Sequence, residues 1–330
     1  MKREAILPDG IFHFSLSNLV TTPSLTGRVG EGLFSLLFFT FHFLFLPLPK
    51  EFLVDMEKTE ILMLGTGHAT VSRCYNTCFV LQQGDALLMV DAGGGNGILN
   101  QLEKVGKSIA DIHHLFITHA HTDHLLGCVW VVRMVIQYVQ RGWYEGQLHV
   151  YSHRKCIDTL RSICEMTMHR MQTEHIGKEV VLHTLTDGEE FTVPAASPLR
   201  ITAFDIHSRM EPQFGFRTEL ADGQVLVCLG DEPYHPECRR WVEGADWLMC
   251  EAFCLYRDRD VFHPYEKFHS TAMDAGRLAE ELNVKHLLLY HTEDSHLNTR
   301  KNDYSAEAKL HFSGIVVVPD DLETISLSEK

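Results

Sequence analysis

Thr118-His119-Ala120-His121-Thr122-Asp123-His124 constrains this chain more than any other stretch of its sequence. Three imidazoles and a carboxylate crowd the turn that follows the apolar run His114-Leu115-Phe116-Ile117. On extended backbone, side chains two apart point the same way, so His119 and His121 converge. Left alone, these groups would repel one another when charged. A divalent cation is the simplest stabiliser, and imidazole with carboxylate suits Zn2+.

The rest of the chain supplies a setting for such a turn. From Met56 onward, short apolar runs alternate with amphipathic stretches. The pattern predicts strands at 60–64, 77–81, 86–90, 114–118, 148–151, 180–184, 200–205, 224–229, 247–251, 286–290 and 315–318. It predicts helices at 97–105, 124–141, 155–173, 236–243, 271–282 and 304–311. Gly142 suits a helix stop and Ser270-Thr271 a helix start. Strands come first in each half and helices later, which implies α/β sheets covered by helices, one domain of two related halves.

Other stations stand in order along the chain: Gly65-Thr66-Gly67, Val90-Asp91-Ala92-Gly93-Gly94, His207 after a strand, and Gly230-Asp231. Cys250-Glu251-Ala252-Phe253, His269-Ser270-Thr271-Ala272 and Leu289-Tyr290-His291 follow. With the HAHTDH turn, this series resembles the metallo-β-lactamase superfamily, and in its finer pattern the ribonuclease Z branch. The resemblance implies a four-layer αβ/βα sandwich and a two-metal site. His119, His121 and His207 would hold one Zn2+, Asp123, His124 and His291 the other, and Asp231 would bridge. Asp91 would accept a hydrogen bond from a ligand imidazole and fix its tautomer.

The chemistry implied is metal-dependent phosphodiester hydrolysis. A water shared by the two ions would be the nucleophile, with Asp123 among the catalytic residues. Glu251 and His269 resemble the ribonuclease Z pair that protonates the leaving group. The partner expected is therefore a phosphodiester, either a tRNA precursor or a small, cyclic diester, and relatives suggest a homodimer. Lactones, thioesters and sulfate esters are alternative substrates for the fold. A redox di-iron centre is a weaker alternative, because no flavin domain is visible.

Charge bears on that choice. The chain has 29 basic and 44 acidic residues, a net −15. Broad nucleic-acid binding needs a positive surface. His207 and Asp231 stand only 24 positions apart, enough for a hairpin but not for the tRNA-gripping arm that ribonuclease Z usually carries there. Arg154, Lys155, Arg161 and Arg170, with Arg239, Arg240, Arg257 and Arg259, form the local basic patches, and they read as solvated helix faces. Nine cysteines without a C-x-x-C pair fit reduced thiols and a cytoplasmic location.

Residues 1–55 read differently. The apolar run 33–46 has 14 residues, against the roughly 20 of a membrane span, and Pro47 and Pro49 end it. The expectation is a poorly ordered N-terminal extension, or an upstream mis-start, ahead of a catalytic domain at 56–330. Membrane anchoring is the second reading; no stable membrane partner is expected.

Overall fold

The computed structural model describes residues 58–328; the apolar run 33–46 and the extension ending at 55 lie outside them. Strand β1 (Thr59–Gly65) shows how the architecture is specified. Ile61 and Met63 point to one face, Leu62 and Leu64 to the other, and all four are buried. A strand apolar on both faces needs cover on both.

β1 joins β2 (Cys78–Gln83), β3 (Ala86–Val90), β4 (His114–Phe116), β5 (Leu148–His153) and β6 (Val180–Leu185) in a seven-stranded sheet, with β14 (Thr324–Ser326) on its edge. The second seven-stranded sheet runs from β7 (Glu190–Val193) through β8 (Leu199–Asp205), β9 (Phe214–Glu219), β10 (Val225–Cys228), β11 (Trp247–Glu251) and β12 (His286–Tyr290) to β13 (Ile315–Val317).

Three apolar layers hold the sheets and helices together. Between the sheets, Ile61, Phe79 and Phe116 meet Phe216, Met249 and Leu288. Outside the first sheet lie α1 (Gly97–Lys104), α2 (Thr122–Arg141) and α3 (Arg154–Thr167), which bury Leu102, Val131, Val135 and Leu160 against Leu64, Val80 and Leu115. Outside the second, α4 (Ala272–Glu281) and α5 (Arg300–Ala308) bury Ala275, Ala279 and Tyr304 against Leu248 and Leu287. This is the four-layer αβ/βα sandwich.

Most expected elements fall within a few residues of those observed. The helix expected at 155–173 is broken, because Met168 is extended (φ −104°, ψ 153°) and His169 caps a separate short turn. The last helix begins at Arg300 rather than Tyr304, since Arg300 is drawn into a buried net with Thr66, Thr292 and the Pro319 carbonyl. Three strands, β7, β9 and β14, were not expected. β9 fills the interval after His207 and pairs antiparallel with both β8 and β10.

The parallel runs β3-β4-β5-β6 and β10-β11-β12-β13 set the chemistry at their carboxyl ends. One close approach there allows no side chain. The Gly127 N–H of α2 donates to the Gly93 carbonyl at 2.7 Å, and a Cβ on Gly127 would stand 1.8 Å from Ala92 O. Gly127→Ala should therefore push α2 off the Asp91–Gly94 loop and cost about 1–3 kcal/mol. Gly95→Ala, which meets nothing within 4 Å, should cost far less. Thermal denaturation of both variants measures the difference, and equal melting temperatures would contradict this packing.

Candidate metal centre

The turn after β4 and the loops after β3, β10 and β12 meet in one cleft. His119 to His121 leave the strand extended, and His121 is the N-cap of α2, whose first turn carries Asp123 and His124. Asp231 follows β10 after Gly230, and His291 follows β12 directly. Asp91, His207 and His291 all have left-handed backbone, with φ of 54°, 58° and 58°. Non-glycine residues rarely adopt it, and it clusters where backbone is bent to serve a site.

Three donor groups result; Asp123-His124-Asp231-His291 and His119-His121-Asp231 share Asp231, and Glu251-His269-His291 adjoins them through His291. Asp231 Oδ2 lies 3.4 Å from His119 Nε2, 3.3 Å from His124 Nε2 and 3.4 Å from His291 Nε2. Asp123 Oδ2 is 3.3 Å from His124 Nε2 and 3.6 Å from His291 Nε2. His119 Nε2 and His121 Nδ1 are 2.8 Å apart, a spacing two lone pairs tolerate only with a proton or cation between them.

The electrostatics follow from this crowding. Burial disfavours ionised Asp231, but His119, His124 and His291 outweigh it and hold the carboxyl well below its ordinary range. His124 and His291 do the same for Asp123. Burial pushes His119 down, whereas Asp123 and Asp91 overcome burial and raise His124.

A metal fits this donor set. Among the described residues, both nitrogens of His291 and Nε2 of His124 have no hydrogen-bond partner although buried, and the two Nε2 atoms face the carboxylates. Buried polar atoms are normally satisfied, and a cation among imidazoles and carboxylates would satisfy these.

Asp91 holds the set from behind. It accepts from His124 Nδ1 at 2.8 Å, from the Thr118 hydroxyl at 2.7 Å and from the Thr118 N–H at 2.8 Å. With its hydroxyl proton committed to Asp91, Thr118 Oγ is left as an acceptor 2.9 Å from His119 Nδ1, which favours the tautomer that frees Nε2 for a metal. One carboxylate thus fixes two imidazoles with Nε2 turned to the cleft.

His207, expected as a ligand, joins none of these groups. It sits on the rim, with Nε2 3.3 Å from Glu237 and its ring 5.3 Å from His235. Gln213, which the sequence did not single out, occupies the inner position. Its amide nitrogen lies 2.8 Å from His119 Nδ1 and donates to Asp231. Only its place between His207 and the next strand could have drawn attention to it.

The Glu251–His269 pair also differs from expectation. Glu251 is fully buried, and its oxygens accept from the Ser270 N–H at 2.6 Å and the Phe253 N–H at 3.1 Å. Its carboxylate stands 3.8 Å from His269 Nδ1, too far for a hydrogen bond. Burial raises the Glu251 pKa, and burial with His291 lowers that of His269 to about 4. Glu251 thus organises the backbone that carries His269, whose ring lies flat on Phe253 at 4.7 Å.

The sequence profile of the Anti-Pycsar protein Apyc1 family matches residues 59–311, from β1 to beyond α5. The chain belongs to that family. A ribonuclease Z of Thermobifida fusca is 26% identical, over 83% of this chain and 96% of its own. Among solved structures, the metallo-β-lactamase fold protein YhfI of Bacillus subtilis superposes with a TM-score of 0.64 at 19% identity, covering 82% of this chain and 99% of its own. The short form of human tRNase Z gives a TM-score of 0.62 at 20% identity, covering 82% and 100%. This Apyc1-family chain thus has the metallo-β-lactamase fold and is a metal-dependent hydrolase of the ribonuclease Z type.

The Asp91–Thr118–His119 chain predicts that Thr118→Val weakens zinc binding about 10- to 100-fold, while Thr118→Ser retains it. Competition with a chromogenic chelator measures this, and an unchanged affinity for Thr118→Val would remove the relay from the account.

Proposed function

We propose that this chain is a dinuclear zinc phosphodiesterase acting on small, cyclic phosphodiesters. His119, His121 and Asp231 would hold one ion, and Asp123, His124, Asp231 and His291 the other. His207 is offered as a further ligand of the first, since the exposed Glu237 and the ring of His235 are its side-chain neighbours on the rim, and a pairing with an exposed carboxylate is worth roughly 0–1 kcal/mol. When bound, the ions would polarise the diester and acidify a water.

The protein's own groups supply the rest. Asp91 and Thr118 orient ligand imidazoles, and Glu251 shapes the loop of His269. His269 is the proposed donor to the leaving oxygen, a role in which the bound anionic diester would raise the pKa that burial and His291 lower.

The observation that carries the small-substrate reading is the cavity beside His269. It has a volume of about 240 Å³, and Tyr234, Tyr265 and Phe268 line it together with Arg209 and His207. Aromatic rings, with Arg209 and Glu232 as the charged members of the lining, suit one base or sugar rather than a folded RNA. The surface agrees. β9, a short turn and β10 take up the chain between His207 and Asp231, leaving no room for an arm. Most expected basic patches are tied to acids: Arg154 to Asp158, Lys155 to Glu211, Arg170 to Glu174, Arg239 to Glu243, Arg240 to Asp187 and Arg257 to Asp303.

Cleavage of a tRNA precursor is the second reading, favoured by the ribonuclease Z relatives. A gel shift with unprocessed tRNA beside turnover of a cyclic nucleotide separates the two; tight tRNA binding without cyclic-diester turnover would overturn our reading. His269→Ala should keep its zinc and hydrolyse the cyclic diester about 10²–10⁴-fold more slowly. Undiminished turnover would remove His269 from the mechanism.

A further inference from the structure

His68 follows β1 and is more tightly held than a loop histidine needs to be. Its N–H donates to the Thr292 carbonyl at 3.0 Å, next to His291, and its own carbonyl accepts from Asn76 Nδ2 at 2.9 Å. The residue is nine-tenths buried, and its ring lies 4.4 Å from Phe253 and 6.3 Å from His291, centroid to centroid. Nδ1 accepts the Thr70 N–H at 3.2 Å. An accepting Nδ1 carries no proton, so the ring proton sits on Nε2.

Among the described residues that Nε2–H has no acceptor. It is also absent from the buried, unpartnered atoms of the cleft, which include both nitrogens of His291. It is therefore a donor fixed in orientation, open to solvent and beside the candidate metal centre. Phe253 is the shared platform: His68 packs on it, His269 stacks on it, and Lys267 Nζ lies 5.0 Å from its ring centre. His113, His114 and His286, away from the cleft, likewise use only Nδ1; His68 differs from them in standing beside His291 and on the ring that also carries His269. This one spends Nδ1 on holding its tautomer and leaves the other for a ligand.

We propose that His68 is a substrate-binding residue that donates its Nε2–H to a phosphoryl oxygen of the bound ester. The inference rests on the phosphodiesterase reading and adds a neutral donor on the Phe253 wall of the cleft. Because the donor meets an oxygen that is anionic in substrate, transition state and product alike, its loss should weaken binding more than it slows turnover.

The test uses the zinc-loaded full chain and inorganic phosphate as probe, with His68→Phe keeping an aromatic ring against Phe253. Calorimetry should show phosphate bound about ten- to a hundredfold more weakly by the variant, the range of a hydrogen bond to a charged group. KM for a cyclic nucleotide should rise by a similar factor while kcat changes less than about threefold. Zinc content and melting temperature should stay at wild-type values, and His68→Gln, which retains an N–H donor, should recover part of the loss. His68→Leu gives the same comparison if the phenyl ring disturbs the loop. Equal phosphate affinity in wild type and the Phe or Leu variant overturns the proposal, as does a wild type that binds no phosphate. A wild type that binds phosphate through His68 but hydrolyses no diester upholds His68 and refutes the phosphodiesterase reading instead.

Discussion

One buried carboxylate within 3.4 Å of three imidazole nitrogens is the constraint on which the site depends. Asp231 comes from the second sheet, His119 and His124 from the first, and His291 from the second again. The contact therefore exists only if the two sheets pack with their carboxyl ends in register. Without a cation it would leave buried groups whose charges compensate only in part and whose hydrogen bonds are incomplete. The tight seating of α2 on the loop after β3 serves the same end, because it brings Asp91 behind His124.

Much of this was legible in the sequence, for definable reasons. The HAHTDH turn is local, so its crowding of imidazoles and a carboxylate could be read from spacing, while the assignment of each as a ligand came with the family resemblance. Asp231 and His291 were implied by the same resemblance, and their places after apolar runs at strand ends agreed with it. Continuous apolar strands such as β1 signalled sheets covered on both faces. What escaped was what depends on tertiary geometry. Gln213 belongs to no motif, and its importance arises only because the segment before β9 passes His119. His207 occupies its expected place in the chain, yet a side chain on a rim is settled by neighbours such as Glu237. The Glu251–His269 separation is of the same kind: sequence placed both in one loop region, whereas the backbone N–H groups that claim the carboxylate appear only in three dimensions. The short edge strands β7 and β14 lack the length that makes periodicity readable.

Charge and shape together explain why a chain with ribonuclease Z relatives is read as acting on something small. Basic side chains that could track a phosphate backbone are instead spent on neighbouring acids, and the hairpin between His207 and Asp231 leaves no protruding element. The cavity at His269 lies next to the carboxylate-imidazole cluster, and its aromatic lining gives a planar group a place to stack. His68 and Lys267 stand on the Phe253 wall, so that a bound ester would meet donors from the protein in addition to any cation.

Metal content measured by plasma mass spectrometry on the purified protein, alongside Asp231→Ala, tests the central claim most directly. The account requires close to two zinc ions per chain in the wild type and loss of most of that metal in the variant, because the donor groups of both ions share Asp231. A wild type without stoichiometric metal, or a variant that keeps both ions, would contradict it.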